Sequence, residues 1–272
     1  MSSNNVLLAV NEHGWRSGFV NMLRKENSTW WETRKWWVQT LIWILISNGV
    51  IAFMLWGIPL IDPSASSDFN GPTGNELLKV FLQMEALFTS LGVMVLSQGL
   101  IVYEKKFGTA AWLLSNPVSR SSFLTSKLIG HGLSMFIILV AVPSLLAYLQ
   151  LAMKAGMYFN PVPFIAATSV LCLLLLFYLV LALMLGTLFS STGPVIGISL
   201  AVGIGMGILR QLLGTQVPWL VAILPESLIE QALGIVMGQS LPADWYFPLI
   251  STGSLVIICI AVAIFRFAKE EF

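Results

Sequence analysis

The chain has 272 residues, of which 57% are hydrophobic and 10% are charged. Soluble domains carry charged residues at about 25%. This composition and a mean hydropathy of +0.84 therefore exclude an ordinary soluble protein and indicate an integral membrane protein. The formal net charge of +1 at pH 7 also excludes a strong overall field that would attract nucleic acid or an acidic partner.

The N-terminal segment, residues 1–35, is predicted to be cytoplasmic and interfacial. Within WRSGFVNMLRKENSTWWETRKWW (15–37), apolar side chains recur at helical spacing, and Arg16, Arg24 and Lys25 fall on other faces. This pattern predicts an amphipathic helix that lies in the membrane interface, although a simple membrane anchor would show it too. The tryptophans nearby are predicted to mark the headgroup level: Trp30, Trp31, Trp36 and Trp37.

Six apolar stretches are long enough to cross a bilayer, since about 20 helical residues span roughly 30 Å of hydrocarbon. The charge-free run from Ala155 to Leu209 is too long for one crossing and is divided at SSTGP (190–194). We therefore predict an all-α polytopic membrane domain over residues 36–272. Its six transmembrane helices are expected at about 36–61, 77–103, 128–152, 162–189, 194–212 and 246–266.

Basic residues are distributed unequally between the two ends of these helices. An even number of spans places both termini on one side, and that side carries 11 of the 14 Lys and Arg residues. By the positive-inside rule, this is the cytoplasmic side of a multi-pass protein in the cell membrane, inner or plasma.

The longest outer segment, residues 213–245, is too apolar for a free loop and is interrupted by Pro218, Pro225 and Pro242. Its middle part has helical spacing but is too short for a full crossing. It is therefore predicted to form short re-entrant or interfacial helices before the last span.

The loop after the second span, EKKFGTAAWLLSNPVSR (104–120), gathers charges that most of the chain lacks. Thr109 is placed to cap a short helix that carries Trp112 and Leu113 on its apolar face, and that helix ends before Pro117. Ser119 is placed to cap the helix that follows. From these residues alone, the loop is either a structured docking surface or an ordinary connector whose apolar side chains lie on the bilayer.

This loop resembles the signature of ABC-2 type exporter permeases, six-span membrane subunits of ABC exporters. The resemblance is carried by Glu104, Lys105, Gly108, Thr109, Leu113, Leu114, Pro117, Ser119, Arg120 and Lys127. It implies that residues 104–120, with Trp112, form a cytoplasmic coupling helix that docks on a separate ATPase subunit. It also implies an N-terminal elbow helix that touches the ATPase, with Phe19, Arg24, Lys25 and Glu26. One departure is Lys105, where many members have Arg.

A row of small residues recurs every four positions in the fifth span: Gly193, Gly197, Ala201 and Gly205. Such rows allow close helix packing in lipid. The resemblance implies that this helix lines the pathway beside a second permease copy or a paralogue. Packing within the chain is the equally open alternative.

Glu85 in the second span and Arg210 near the outer end of the fifth are the exceptions within apolar helices. An unpaired charge in the membrane is costly, and their signs are opposite. We therefore predict an intramembrane charge pair, which serves as a structural latch, as a substrate contact or as an outer gate.

No G-x-x-x-x-G-K-[ST] motif occurs in the sequence, and no catalytic motif or metal pair is evident. The chain itself is thus expected to be neither an enzyme nor a cofactor protein, with ATP and Mg²⁺ bound by the partner subunit. The expected function is the permease of an ATP-driven ABC exporter, with an ATPase subunit, a second permease and membrane lipid as partners and no nucleic acid. The alternative is a self-sufficient channel or secondary transporter. Peptide, lipid, glycan and drug-like cargoes all remain open.

Overall fold

A computed structural model of the chain describes residues 17–61, 74–110, 118–155, 160–214, 216–240 and 244–270. Every regular element in these ranges is helical. The prediction of an all-α membrane protein with six long apolar helices is confirmed.

The first helix of the described residues is α1 (Phe19–Trp31), which lies outside the six spans. The first span comprises α2 (Lys35–Ala52), a π-helical turn (Phe53–Gly57) and α3 (Ile58–Ile61). The second comprises α4 (Gly74–Ser97) and the short α5 (Val102–Lys106). The third comprises α6 (Arg120–Met135), a π-helical segment (Phe136–Ala141) and α7 (Val142–Ala155).

The fourth span is α8 (Pro161–Leu188) and the fifth is α9 (Thr192–Leu213). Two short helices follow, α10 (Pro218–Ala222) and α11 (Ser227–Val236), where short helices were predicted. The sixth span is α12 (Phe247–Ala268).

Both π-helical segments lie just before a proline. A helical proline has no N–H to donate to the carbonyl of the fourth residue before it, so Pro59 and Pro143 each disrupt the regular bonding of the preceding turn. Pro143 thus leaves the Leu139 carbonyl without its usual donor. The Thr89 hydroxyl of the second span donates to that carbonyl instead, at 3.3 Å, which fixes the second and third spans against each other.

The fourth span forms the centre of the bundle. It packs against the second and sixth spans and against α11, and 72% of its most apolar stretch is buried. The fifth span is the opposite case, with only 11% of its corresponding stretch buried. The fifth span therefore presents most of its surface outward from the chain.

Candidate functional site

Charged side chains from several helices meet at one end of the bundle, where Lys25, Glu104 and Lys127 lie; we call this the basic end. Helix α1 packs along α6 at this end. A Cβ atom added at Gly130 of α6 would lie 2.9 Å from the Glu26 Cβ, a distance too short for van der Waals contact. The absence of a side chain at Gly130 therefore permits α1 to approach closely enough for Glu26 to reach the third span.

Four charged residues form a network that joins three segments: Lys25, Glu26, Glu104 and Lys127. The Lys127 ammonium donates to Glu26 and to Glu104, at 3.0 Å each. Lys25 donates to the same Glu104 oxygen at 2.9 Å. Two positive and two negative charges thus compensate each other, as buried charges require. The network connects α1, the end of the second span and the start of the third.

His131 extends the network into the core. The Trp30 indole donates to His131 Nδ1 at 2.8 Å, and an indole nitrogen can only donate. Nδ1 is therefore the acceptor, and Nε2, which lies 3.0 Å from Glu26 Oε2, carries the proton and donates. His131 is consequently a neutral bridge between Trp30 and Glu26. We call these six residues, the four charged ones with Trp30 and His131, the junction.

The Glu26 carboxylate is the centre of the junction, and only 2% of this residue is exposed. Burial opposes its ionisation, but the hydrogen bond with His131 and the charge of Lys127 outweigh burial and lower the pKa of Glu26 to about 2. The carboxylate is thus held in its charged form by the third span.

A second set of contacts ties the flanks of the 104–120 loop to the ends of other spans. Lys105 forms a 2.6 Å ion pair with Glu270 and donates to the Thr187 carbonyl at 3.2 Å. Arg120 donates to the carbonyls of Phe267, at 2.9 Å, and Ala268, the acceptors that a helix leaves free at its C-terminus. The loop is therefore fastened to the fourth and sixth spans as well as to α1.

The middle of the loop, 111–117, lies outside the described residues, and so do the predicted docking residues Trp112, Leu113, Leu114 and Pro117. Gly108 has a φ of 69°, a left-handed conformation that favours glycine. The Thr109 hydroxyl donates to the Glu104 carbonyl at 3.3 Å, at the end of α5. Ser119 accepts a bond from the Ser122 N–H at 3.0 Å and caps α6, which explains why that helix begins well before the predicted third span.

The residues predicted for the elbow helix divide between two environments on α1. Lys25 and Glu26 belong to the junction, whereas Arg24 is exposed and Phe19 is half-buried. Trp30, predicted to mark the headgroup level, is buried within the protein: it is 5% exposed and its indole donates to His131. The sequence spacing could have indicated these contacts. Glu26 and Trp30 lie four residues apart on one helix, and Lys127 and His131 lie four residues apart on another, so each pair shares a helix face.

The row of small residues in the fifth span faces away from the described part of the chain. A Cβ atom added at Gly193, Gly197 or Gly205 would meet nothing within 4 Å. Two other small residues of this span pack inward instead: Ser199 is buried, and a Cβ atom at Gly203 would lie 2.9 Å from the Tyr178 hydroxyl. The first row therefore does not serve packing among the described residues.

Glu85 and Arg210 do not form the predicted pair. Arg210 pairs with Glu230 of α11, at the end of the bundle opposite the junction, where both line a cavity of about 690 Å³. Glu85 is 1% exposed, and its Oε1 has no hydrogen-bond partner in the described ranges. The prediction is wrong because α11 folds back beside the end of the fifth span and brings Glu230 to Arg210, a contact that span positions alone do not show. Within the same ranges, no three His, Cys, Asp or Glu side chains converge as a metal centre would require.

Comparison with curated proteins gives no match. Comparison with family models matches the ABC-2 family transporter protein over residues 20–272, a range that contains the junction, the loop and all six spans. The chain therefore belongs to the ABC-2 family of transporter proteins.

Proposed function

We propose that this chain is the permease subunit of an ATP-driven exporter and that an ATPase subunit docks on the 104–120 loop. The family is one of membrane transport components that generally work with an ATPase subunit. In this proposal the basic end and both termini face the cytoplasm of a cell whose inner or plasma membrane holds the protein, in keeping with the positive-inside rule. ATP and Mg²⁺ are bound by the partner.

The observation that supports this role is the fastening of both flanks of the loop. Glu104 bonds to Lys25 and Lys127, which ties the near flank to α1 and the third span. Lys105 and Arg120 reach the ends of the fourth and sixth spans. A force applied to the loop by closure of the ATPase subunits would therefore be passed to four helices of the bundle at once, through short polar contacts.

A second permease, either another copy or a paralogue, is proposed to pack on the open face of the fifth span. Gly193, Gly197 and Gly205 leave room for the backbone of another helix, and small residues are the ones that promote helix association in lipid. The first span is similarly open, with only 22% of its most apolar stretch buried. The translocation pathway would then lie between the two permeases.

Docking is tested by asking whether a neighbouring reading frame encodes a P-loop ATPase and whether that ATPase co-purifies with the chain. Trp112→Asp and Leu113→Asp should abolish recovery of the ATPase, because a charged carboxylate cannot enter an apolar interface without a partner. The matched control is Trp219→Asp on α10, a tryptophan that is 69% exposed at the opposite end of the bundle. Recovery of the ATPase with both loop variants at the level of the control would overturn the docking proposal.

A further inference from the structure

The second span holds a buried carboxyl group that the junction and the loop do not use. Glu85 is 1% exposed, and no Lys, Arg or His in the described residues forms an ion pair with it. Glu26, the comparable buried acid at the basic end, has Lys127 and His131 beside it. An uncompensated charge inside the membrane is costly, and an ionisable residue there indicates a functional site.

The first and third spans, among others, present buried polar atoms that likewise have no hydrogen-bond partner among the described residues. Asn48 of the first span is 1% exposed, and Ser144 of the third is 4% exposed. In the described residues, no hydrogen-bond partner is found for Asn48 Oδ1, Ser144 Oγ or Glu85 Oε1. Such oxygens are rare in folded proteins, and each one calls for a water molecule, an ion or a proton.

The helical register places these three oxygens at one level of the membrane. Ile51, Leu82 and Ala147 belong to a single core cluster. Asn48 lies three residues before Ile51, Glu85 three residues after Leu82, and Ser144 three residues before Ala147, so each shares a helix face with its core residue. Because the second span runs antiparallel to the first and third, each of the three polar residues lies closer to the basic end than its core residue does.

Two further contacts fix the same register. The Thr89 hydroxyl, one turn beyond Glu85, donates to Leu139 in the π-helical segment of the third span. A Cβ atom added at Gly92 would lie 2.9 Å from the Trp43 ring. This close approach aligns the first span with the second. The fourth span packs along the second as well. Four spans therefore surround the carboxyl group.

We propose that Asn48, Glu85 and Ser144 form a membrane-embedded site for a small monovalent cation, either a proton on the carboxylate or a sodium ion shared by the three oxygens. A carboxylate, an amide carbonyl and a hydroxyl are hard oxygen donors, which suit small hard cations. Either occupant neutralises Glu85: a proton lets the carboxyl group donate one hydrogen bond, to Asn48 Oδ1 or Ser144 Oγ, and a sodium ion can be shared by all three oxygens. The site is independent of the ATPase interface, since it lies within the bundle rather than at the loop.

The test uses the purified full chain in lipid nanodiscs, with sodium chloride compared with choline chloride. Infrared spectra report a protonated carboxylic acid through its carbonyl band, and thermal unfolding reports ion binding. A band that Glu85→Gln removes and sodium leaves unchanged identifies a proton as occupant. A band that sodium removes, with a rise in the unfolding temperature that Glu85→Gln abolishes, identifies sodium.

Ser144→Ala and Asn48→Ala test whether the three residues share one site. Each should displace the acid band or weaken the apparent sodium affinity at least about tenfold, as loss of a supporting group does at other ion sites. The control is Ser134→Ala, a buried serine of the same span whose hydroxyl already donates to the Gly130 carbonyl at 2.9 Å; it should change neither. These two variants keep the test decisive if Glu85→Gln does not fold.

The proposal is overturned if the wild-type chain shows no acid band and no sodium-dependent unfolding temperature. It is equally overturned if Ser144→Ala and Asn48→Ala both behave as Ser134→Ala does.

Discussion

The Lys127 ammonium lies 3.0 Å from the Glu26 carboxylate, and each residue is only 2% exposed. This pair joins α1, which lies outside the spans, to the third span. Buried ion pairs need not add net stability, but removing one partner leaves the other charge uncompensated. The pair thus makes the attachment of α1 sensitive to a single substitution.

Glu26→Gln is predicted to lower the free energy of unfolding by about 3 kcal/mol or more, the range found for breaking a buried pair. Lys127→Met should do the same, and the double variant should lose less than the sum of the two single losses because the residues are coupled. Thermal unfolding in detergent measures each value. Glu32→Gln, an exposed acid just beyond α1, is the control and should unfold as the wild type does; additive losses in the double variant would contradict the pairing.

Acid should loosen α1 over a definite pH range. The pKa of Glu26 is lowered from 4.5 to about 2, so the stability it contributes is complete above pH 4.5 and is lost as pH falls toward 2. This difference between the two pKa values corresponds to a contribution of about 3 kcal/mol to the free energy of unfolding. The check is the unfolding temperature against pH for the wild type and for Glu26→Gln. The variant should lose this part of the pH dependence, and identical profiles would show that Glu26 is not the responsible group.

His131 is predicted to be neutral at pH 7 and protonated at Nε2, because Trp30 occupies Nδ1 as a donor. Nitrogen NMR distinguishes the two neutral tautomers and the imidazolium form. The sequence holds only 2 histidines, so His131→Gln suffices to assign the signals. Trp30→Phe should no longer fix the tautomer of His131. It should also lower the free energy of unfolding by about 1–3 kcal/mol, because it leaves a buried acceptor unpaired. A proton found on Nδ1 at pH 7 would contradict the bridge.

The sequence predicted the number and approximate positions of the six helices because a crossing requires a long apolar run. It did not predict the junction. Trp30 and His131 have side chains that suit a headgroup belt or a core equally well, and only the approach of α1 to Gly130 distinguishes the two. The same limit explains the incorrect pairing of Glu85 with Arg210, since hydropathy does not show where α11 lies.

Two glycines of the fifth span should respond oppositely to the same substitution. The side chain introduced by Gly197→Leu would point into open space, so the stability of a single permease should not change. The same side chain should disrupt the permease dimer, because it prevents the close approach of a second helix. Gly203→Leu should lower the stability of the single chain, because Tyr178 and Met94 occupy the space its side chain needs. Native mass spectrometry measures the dimer and thermal unfolding measures the chain. A dimer that survives Gly197→Leu would remove this face from the interface.

Arg210 and Glu230 should show weak coupling in a double-mutant cycle with Arg210→Gln and Glu230→Gln. The Glu230 side chain is 62% exposed, and exposed pairs contribute about 0.2–1 kcal/mol. The companion cycle of Arg210→Gln with Glu85→Gln should give no coupling, since the two residues do not pair. Both cycles are scored by thermal unfolding, and coupling confined to the second would refute the contact with α11.

The central claim is that the 104–120 loop receives an ATPase subunit, and a photo-crosslinking amino acid placed at position 112 in intact membranes tests it most directly. The account predicts a covalent adduct with the P-loop ATPase from position 112 and none from position 219 on α10, at the opposite end of the bundle. An ATPase adduct from position 219 but not from 112, or from neither position in cells that express both subunits, would contradict the account.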